Sequence, residues 1–193
     1  LAEYAPGYEV LNTSNQMGTT GDFVKVFEKN GFKMENMSNV RVFPNIIVPR
    51  RDLTGGADVN ILVNKEGTRF ISENAGGLEL GTTIQAQPDG AVFSITDKTG
   101  YDSFYRIRKH VGLGYYSEGQ TLGELAEALG IDAAGLEAAV AAFNEAAEAG
   151  SEDELLKAVP SRPLDAQGPY YGVRIEAANH MTKGGVSCNE NAQ

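Results

Sequence analysis

Apolar residues recur at helical spacing in two stretches of the second half of the chain. Thr121 and Glu124 form a capping-box pattern, which predicts a helix that begins at this point and ends at Gly130. Asp132 is a suitable N-cap for a longer helix that runs to about residue 148. This second helix has an apolar face formed by Leu136, Val140 and Phe143.

Weaker helical patterns lie elsewhere in the chain. Residues 21–31 predict a short helix, because apolar residues recur there and Gly31 is a stop signal. Residues 101–110 are also predicted to be helical, and a further helical turn is expected within residues 151–157. Prolines and glycines between residues 160 and 169 mark a linker.

Short apolar runs bounded by turn residues predict strands. Val40–Phe43 and Ile46–Val48 are expected to form two strands separated by Pro44, since proline cannot donate a hydrogen bond to a sheet. Residues 59–64 and 68–72 predict a hairpin across a Lys-Glu-Gly turn.

Two more strands are predicted, over residues 91–96 and over Tyr170–Glu176. Residues 74–90 are rich in Gly, Asn, Thr and Gln and are therefore predicted to form a loop. Because strands and helices mix without regular βαβ alternation, the predicted fold class is α+β.

The size and composition of the chain fit one globular domain. It has 193 residues, of which 41% are hydrophobic and 22% are charged. The net charge of −10 argues against a nucleic-acid partner but not against a small-molecule substrate. No apolar run is long enough to span a membrane, so we expect a soluble protein without membrane insertion; the sequence leaves its compartment open, cytoplasmic or exported.

The chemistry-bearing residues are few. Cys188 is the single cysteine and is interpreted as an incidental thiol. His110 and His180 are isolated from other metal-ligating residues, so no metal site is predicted. His180 follows an apolar strand and precedes a Gly-Gly pair, which suits a redox or acid–base site as well as a structural histidine.

Four segments carry a resemblance to a known family, in the same order along the chain. They are Asn15 to Asp22 (NQMGTTGD), Ile61 to Glu73 (ILVNKEGTRFISE), Lys109 to Ala126 with the helix that follows it, and Tyr170 to Gly185 (YYGVRIEAANHMTKGG). Together they resemble the fumarate reductase/succinate dehydrogenase-like flavoproteins, which bind FAD. The resemblance implies that this chain includes the cap, or clamp, domain of such an enzyme.

The Gly-rich strand–turn–helix that binds the FAD pyrophosphate has no counterpart in this sequence. Gly112-Leu113-Gly114 is the nearest match, but it lacks the third glycine and follows a helical stretch, so it is interpreted as a loop. The sequence therefore predicts no complete Rossmann domain. We expect FAD in the full-length parent protein and none on the isolated chain.

The resemblance also suggests a division of the chain. Residues 1–45 are expected to be a flank from the FAD-binding domain, 46–168 the cap and substrate domain, and 169–193 a return strand leading back to the FAD domain. The expected partners are therefore a small-molecule substrate and the rest of the FAD domain in the parent.

Several site residues follow from matching positions to the family motifs. His180 falls on the histidine of the HxTxGG motif, which holds a substrate carboxylate in the family, and is therefore expected to be a catalytic residue. Thr182 is expected to bind the substrate, and Gly184 and Gly185 to bind the cofactor. Gly21 and Asp22 match a second glycine turn and are also expected at the cofactor.

The chain departs from the family at two carboxylate-binding positions. Phe43 replaces the histidine of the family's QxHP segment; it is expected either to pack in the core or to line an apolar substrate pocket. After Glu73 the chain reads Asn74-Ala75, where the fumarate reductases have an Arg-Asp pair. Glu73 is expected either near the substrate or simply solvated.

Counting back from Gly112 places Tyr101 at the position of the family's proton-donor arginine. A tyrosine can act as a general acid when its surroundings lower its pKa. If the register is different, Arg106 or Arg108 serves instead, although both also suit a solvated helix face.

These departures make fumarate an improbable substrate, because a small dicarboxylate needs several donors around it. The resemblance therefore implies an FAD-dependent oxidoreductase acting on a larger or less acidic activated double bond, such as an enone, an aryl acrylate or a steroid. The alternative is a small-molecule binding or regulatory module that kept the cap fold and lost the chemistry.

Overall fold

The computed structural model describes residues 1–47, 50–55 and 59–191. Its helices are α1 (Asp22–Lys29), α2 (Gly77–Ala86), α3 (Lys98–Ser103), α4 (Tyr105–Gly112), α5 (Leu122–Leu129) and α6 (Ala133–Ala149), with a short 3-10 turn at Pro88–Gly90. Its strands are β1 (Asn12–Thr13), β2 (Met34–Glu35), β3 (Val40–Ile47), β4 (Asp52–Leu53), β5 (Ile61–Val63), β6 (Val92–Thr96), β7 (Ser117–Gly119), β8 (Tyr170–Thr182) and β9 (Gly185–Val186).

Strand β8 is the centre of a seven-stranded sheet. The main order is β4-β3-β8-β6-β5, and β1 and β7 pair with the remaining parts of β8. Only β1 runs parallel to β8, while β3, β6 and β7 are antiparallel to it. The predicted α+β class is confirmed. The predicted boundary between the FAD-binding flank and the cap domain, between residues 45 and 46, falls inside β3.

Helices cover both faces of the sheet at β5, which explains why all three of its residues are apolar and buried. Ile61 and Val63 point to the side covered by α5 and α6, while Leu62, between them, points to the side covered by α2. Strand β6 alternates in the same way and all five of its residues are buried. Because β5 and β6 are buried on both faces, the alternation of apolar and polar residues along them is weaker than along a half-exposed strand.

The helix boundaries predicted from capping residues are confirmed. The Thr121 side chain accepts a hydrogen bond from the main-chain N–H of Glu124, and Asp132 accepts one from Gly135. Gly130 and Gly150 end α5 and α6 in the left-handed conformation. The predicted helix over residues 101–110 is instead two helices, because Phe104 is extended between them, and residues 151–157 form turns without a helix.

Pro44 does not divide β3, contrary to the sequence prediction. The pairing with β8 shifts register between Phe43 and Ile46, so β3 carries an extra residue there. A bulge leaves one main-chain N–H out of the ladder, which suits a residue that has none. Val48, predicted as part of the second strand, lies outside the described residues.

The predicted hairpin over residues 59–72 is only half formed. β5 is a strand, but residues 68–72 contribute just an isolated bridge between Val63 and Arg69. Arg69 is held by ion pairs with Glu73 and Asp153, which set its direction in place of a strand ladder.

The loop predicted over residues 74–90 is also wrong, because α2 occupies most of it. Leu80 and Ile84 of α2 are buried against β3 and β8. Gly81 faces Val42, and a β-carbon added to Gly81 would lie 2.6 Å from Val42 Cγ1. The glycine that lowered the helix propensity of this segment is therefore the residue that allows the helix to approach the sheet.

Neither a membrane-spanning helix nor a metal-binding cluster occurs among the described residues. None of the helices in them combines the length and apolar character needed to cross a membrane. The same ranges contain no group of three or more His, Cys, Asp or Glu side chains arranged to hold a metal ion.

The contact between Gly81 and Val42 predicts coupled effects on stability. Gly81→Ala should destabilise the chain by about 1–3 kcal/mol, because the stiff Val42 side chain must move. In the double variant Gly81→Ala/Val42→Ala, part of this cost should disappear. Urea unfolding of the four proteins measures the coupling.

Gly123 of α5 provides the matched control. An added β-carbon there meets nothing closer than 3.8 Å, so Gly123→Ala should stabilise the helix by about 0.5–1 kcal/mol. Strictly additive effects at Gly81 and Val42 would contradict the packing described here.

Candidate functional site

His180 lies at a bulge in β8, where the strand pairing is interrupted. Met181 pairs with Arg41 of β3, and Asn179 pairs with the next residue, Val42, so His180 has no partner in β3. Strand β8 also continues to Thr182, six residues beyond the predicted end at Glu176. Bulges redirect a side chain out of the regular alternation and are common beside active sites.

The N-terminal segment fixes the His180 ring from the other side of β8. Ser14 Oγ lies 2.8 Å from His180 Nδ1, within hydrogen-bond distance. The main-chain carbonyl of Asn179 accepts hydrogen bonds from the Ser14 N–H at 3.1 Å and from the Thr13 hydroxyl at 3.2 Å. These contacts leave His180 Nε2 as the nitrogen available to a ligand.

Asn179 itself is buried and only half satisfied. Its side-chain N–H donates to the carbonyl of Tyr8 at 2.6 Å, but its Oδ1 has no hydrogen-bond partner among the described residues. An unpaired buried acceptor costs free energy, so its place next to His180 suggests a site that is completed by another group.

An aromatic ring forms the second wall of the site. The rings of Phe43 and His180 are 5.2 Å apart between centroids and inclined at 49°. The Arg41 guanidinium lies 6.0 Å from the centre of the Phe43 ring. Phe43 is half-buried, so it presents part of its ring to solvent beside the histidine.

The other motif residues of this segment lie close by along the chain. Thr182 ends β8 opposite Val40 and is exposed. Gly184 packs directly on the main chain of Asn36, since an added β-carbon would lie 2.5 Å from that carbonyl oxygen. Gly185 has open space around its Cα and can accept a close approach by another group.

Gly21 and Asp22 are at the start of α1. Gly21 adopts the left-handed conformation, and Asp22 accepts a hydrogen bond from the Thr20 hydroxyl at 2.7 Å. Helix α1 has no buried residue, and its apolar side chains Phe23 and Val26 are exposed.

Glu73 is a buried structural residue rather than a solvated one. Its Oε1 accepts hydrogen bonds from the Leu62 main-chain N–H at 2.9 Å and from Arg69 Nε at 3.0 Å, and its Oε2 accepts one from Arg69 at 2.8 Å. Arg69 also binds Asp153 through two hydrogen bonds and lies over the Phe143 ring. Burial opposes the charge of Arg69, yet the two carboxylates raise its pKa.

Tyr101 lies at the opposite end of β8 from His180. Its ring stacks on Tyr171, with centroids 4.6 Å apart and planes at 14°. Tyr171 precedes His180 by nine residues (171 to 180), which corresponds to about 30 Å along a strand. The structure thus brings Phe43 and His180 together but leaves Tyr101 and Glu73 apart from them.

The two alternative proton donors, Arg106 and Arg108, also form their hydrogen bonds away from His180. Arg106 donates to the carbonyl of Leu53 in β4 at 3.4 Å. Arg108 is exposed and donates to the main-chain carbonyls of Tyr101 and Asp102. Neither arginine has a contact with His180 or Phe43 among those of the described residues.

Sequence reasoning did not identify Ser14, Asn179 or Arg41 as part of the site. Ser14 and Asn179 are short polar residues in ordinary contexts, and only the parallel pairing of β1 with β8 joins them. His110 was also given no role, although it is fully buried. Burial lowers the pKa of His110, and Asp52, whose Oδ2 is 3.5 Å from His110 Nε2, opposes this shift.

Comparisons with known proteins place the chain in a family. The family described as "FAD binding domain" matches residues 1–193. The chain is 28% identical to a fumarate reductase (cytochrome) of Shewanella frigidimarina, over 100% of the chain and 34% of the relative. It is 27% identical to a urocanate reductase of Eggerthella lenta, over 96% of the chain and 32% of the relative.

A solved structure shows the same architecture. The open conformation of a flavocytochrome c3 fumarate reductase superposes with a TM-score of 0.83 and 27% identity, covering 97% of the chain and 34% of that structure. The chain therefore belongs to the fumarate reductase-like family of FAD-dependent flavoproteins. It spans about a third of the length of the relatives it matches.

The buried ion cluster around Glu73 yields a stability prediction. Arg69→Ala should destabilise the chain by about 3–5 kcal/mol, because two buried carboxylates lose their counterion. The exposed pair between Lys65 and Asp89 is the control, and Lys65→Ala should cost about 0–1 kcal/mol. Equal effects in urea unfolding would contradict a buried cluster.

The same cluster sets a pH dependence. Burial favours the neutral form of Asp153, but the hydrogen bonds and charge of Arg69, together with the main-chain N–H groups of Leu155 and Leu156, hold the Asp153 pKa below the ordinary 3.8. The stabilisation is therefore fully present above pH 3.8 and is lost as the pH falls through the lowered pKa. Asp153→Asn should flatten the stability curve in that acid range.

Proposed function

We propose that this chain forms the substrate-facing part of an FAD-dependent oxidoreductase that reduces or forms an activated carbon–carbon double bond. The observation that carries the proposal is His180, directed out of β8 by a bulge and held by Ser14 against the Phe43 ring. Two relatives whose names state such reactions, a fumarate reductase and a urocanate reductase, support the class of reaction.

The shape of the site favours a substrate other than fumarate. One imidazole nitrogen is available beside an aromatic wall, whereas a small dicarboxylate needs donors at both ends. A flat, partly apolar substrate can stack on Phe43 while His180 holds a polar atom. We therefore propose an aryl acrylate or a similar enone as the substrate class.

The described residues fit one edge of an FAD site rather than the whole of it. Gly185 leaves room for a close approach, and the unpaired Asn179 Oδ1 can accept a hydrogen bond. Asp22, in contrast, puts a negative charge in the first turn of α1, which disfavours a pyrophosphate there. When bound, FAD supplies the hydride chemistry, and this chain's residues bind and orient the substrate and exclude water.

The proposed division of labour follows the chain. Residues 46–168 form the cap that covers the substrate, and residues 1–45 and 169–193 lead to the FAD-binding remainder of the parent. Strand β8 then joins the cap to the site, since it starts beside Tyr101 and ends at Thr182, just before the HxTxGG glycines.

The test uses the full-length flavoprotein that contains this chain. With reduced flavin, we expect turnover of 3-phenylacrylate and little turnover of fumarate. His180→Ala should lower turnover by about 10- to 100-fold, the effect of losing a hydrogen bond to a charged group. The control is Met181→Ala, at the next residue of β8, which is exposed and should leave the rate unchanged.

Preferential turnover of fumarate would refute the proposed substrate class. Bound FAD without reduction of any activated double bond would favour the alternative, a binding or regulatory module. The isolated chain should purify without flavin colour, because it lacks the Gly-rich pyrophosphate turn; stoichiometric flavin on it would contradict this.

The assignment of Tyr101 as the proton donor stays a prediction. A general acid must lie within about 3 Å of the group that it protonates, or one water away. Tyr101 stacks on Tyr171, nine residues before His180 in β8, so if the substrate reacts in the geometry described here, Tyr101→Phe should retain most of the turnover. A loss of about 10²–10⁴-fold would show instead that closure brings the phenol to the substrate.

A further inference from the structure

We infer that Arg51, in the turn between β3 and β4, binds the carboxylate of the substrate beside His180. The inference rests on the proposed function, which assigns no residue to bind a substrate carboxylate. It identifies a specificity-determining residue and limits the substrate to unsaturated monocarboxylates.

The backbone of the turn holds Arg51 in an unusual conformation. Strands β3 and β4 pair through Ile47 and Asp52, so Arg51 is the last residue of a four-residue connection. Its φ of 58° lies in the left-handed region, where glycine or asparagine is usual. Residues other than glycine are uncommon in this region and cluster at functional sites.

The Arg51 side chain reaches back to the N-terminal segment that supports His180. Its Nη1 donates to the main-chain carbonyl of Asn15 at 3.4 Å. The Asn15 side chain in turn donates to the Asn179 carbonyl at 3.3 Å, and the preceding residue, Ser14, contacts His180. Arg51 therefore contacts the segment that holds His180, although it is far from His180 in the sequence.

Arg51 retains donors for a ligand. Among the described residues, the Asn15 carbonyl is its one hydrogen-bond acceptor, and no carboxylate forms an ion pair with it. A guanidinium carries five N–H donors in a planar fork that matches a carboxylate, so a two-point contact remains available. Arg41 adds a second positive charge over the Phe43 ring.

Charge explains why such a residue is needed. The chain carries a net charge of −10, so the binding of an anionic substrate depends on local positive charge. Arg41 beside Phe43 and Arg51 beside Asn15 supply such charge. A substrate with one carboxylate on Arg51 and a flat body against Phe43 uses both features.

The experiment compares an acid with its neutral ester in the full-length flavoprotein. For 3-phenylacrylate, Arg51→Gln should raise KM by about 10- to 100-fold, because a charged hydrogen bond is lost. For methyl 3-phenylacrylate, KM and kcat should not change. Arg51→Lys, which keeps the charge but not the fork, should fall between the wild type and Arg51→Gln.

Arg50 is the matched control, since it is adjacent in the same turn and points elsewhere. Its guanidinium lies 5.1 Å from the centre of the Tyr115 ring. Arg50→Gln should therefore leave the preference for the acid over the ester intact. A loss of preference in both variants would show that the total charge of the turn, and not Arg51, determines specificity.

The outcomes separate this inference from the proposed function. Equal effects of Arg51→Gln on acid and ester, or no effect on either, would overturn the carboxylate site while the oxidoreductase stands. If the wild type reduces neither compound, the proposed function fails. Binding of 3-phenylacrylate, followed by NMR shifts of the His180 ring, then decides the site: binding lost in Arg51→Gln but kept in Arg50→Gln supports it, and any other result refutes it.

Discussion

The structure depends on the main-chain hydrogen bonds of one long strand. β8 pairs with β6 and then β1 along one edge and with β7 and then β3 along the other, so segments from the whole chain meet on it. Because each pairing fixes the register of its neighbour, side chains far apart in sequence are placed at defined positions. One apolar core forms on each face of this sheet.

The site arises from an interruption of that same ladder. At His180 the pairing with β3 skips one residue, and the freed histidine is held by Ser14 from β1 and faces Phe43 from β3. In a regular strand, the His180 side chain would point to the face opposite to that of its two neighbours, Asn179 and Met181. The bulge instead allows a histidine to leave the alternation without ending the strand, and β8 continues to Thr182.

Buried charge fixes the parts of the fold that the sheet does not. Arg69 joins Glu73 to Asp153 across a long stretch of chain, and Arg162 joins Asp97 of the β6–α3 junction to the connection before β8. Removal of one partner from such a buried set is costly, so these pairs define where each connection lies. They show that Glu73, the last residue of a family motif, is held in a buried ion cluster in this structure.

The sequence by itself determined the local features: the α+β class, the caps and ends of α5 and α6, strand β6, and a histidine in the HxTxGG motif. Each depends on residues within one helical turn or one strand, so the pattern suffices. The tertiary structure alone decided the rest. Gly81 favoured a loop in the sequence, but it lies in a helix that packs closely on Val42. Pro44 favoured a break between two strands, but a bulge accommodates it within β3. Tyr101, which stacks on Tyr171, and His180 lie at the two ends of β8, whereas Ser14 is brought to His180 by the pairing of β1 with β8, which no local pattern encodes.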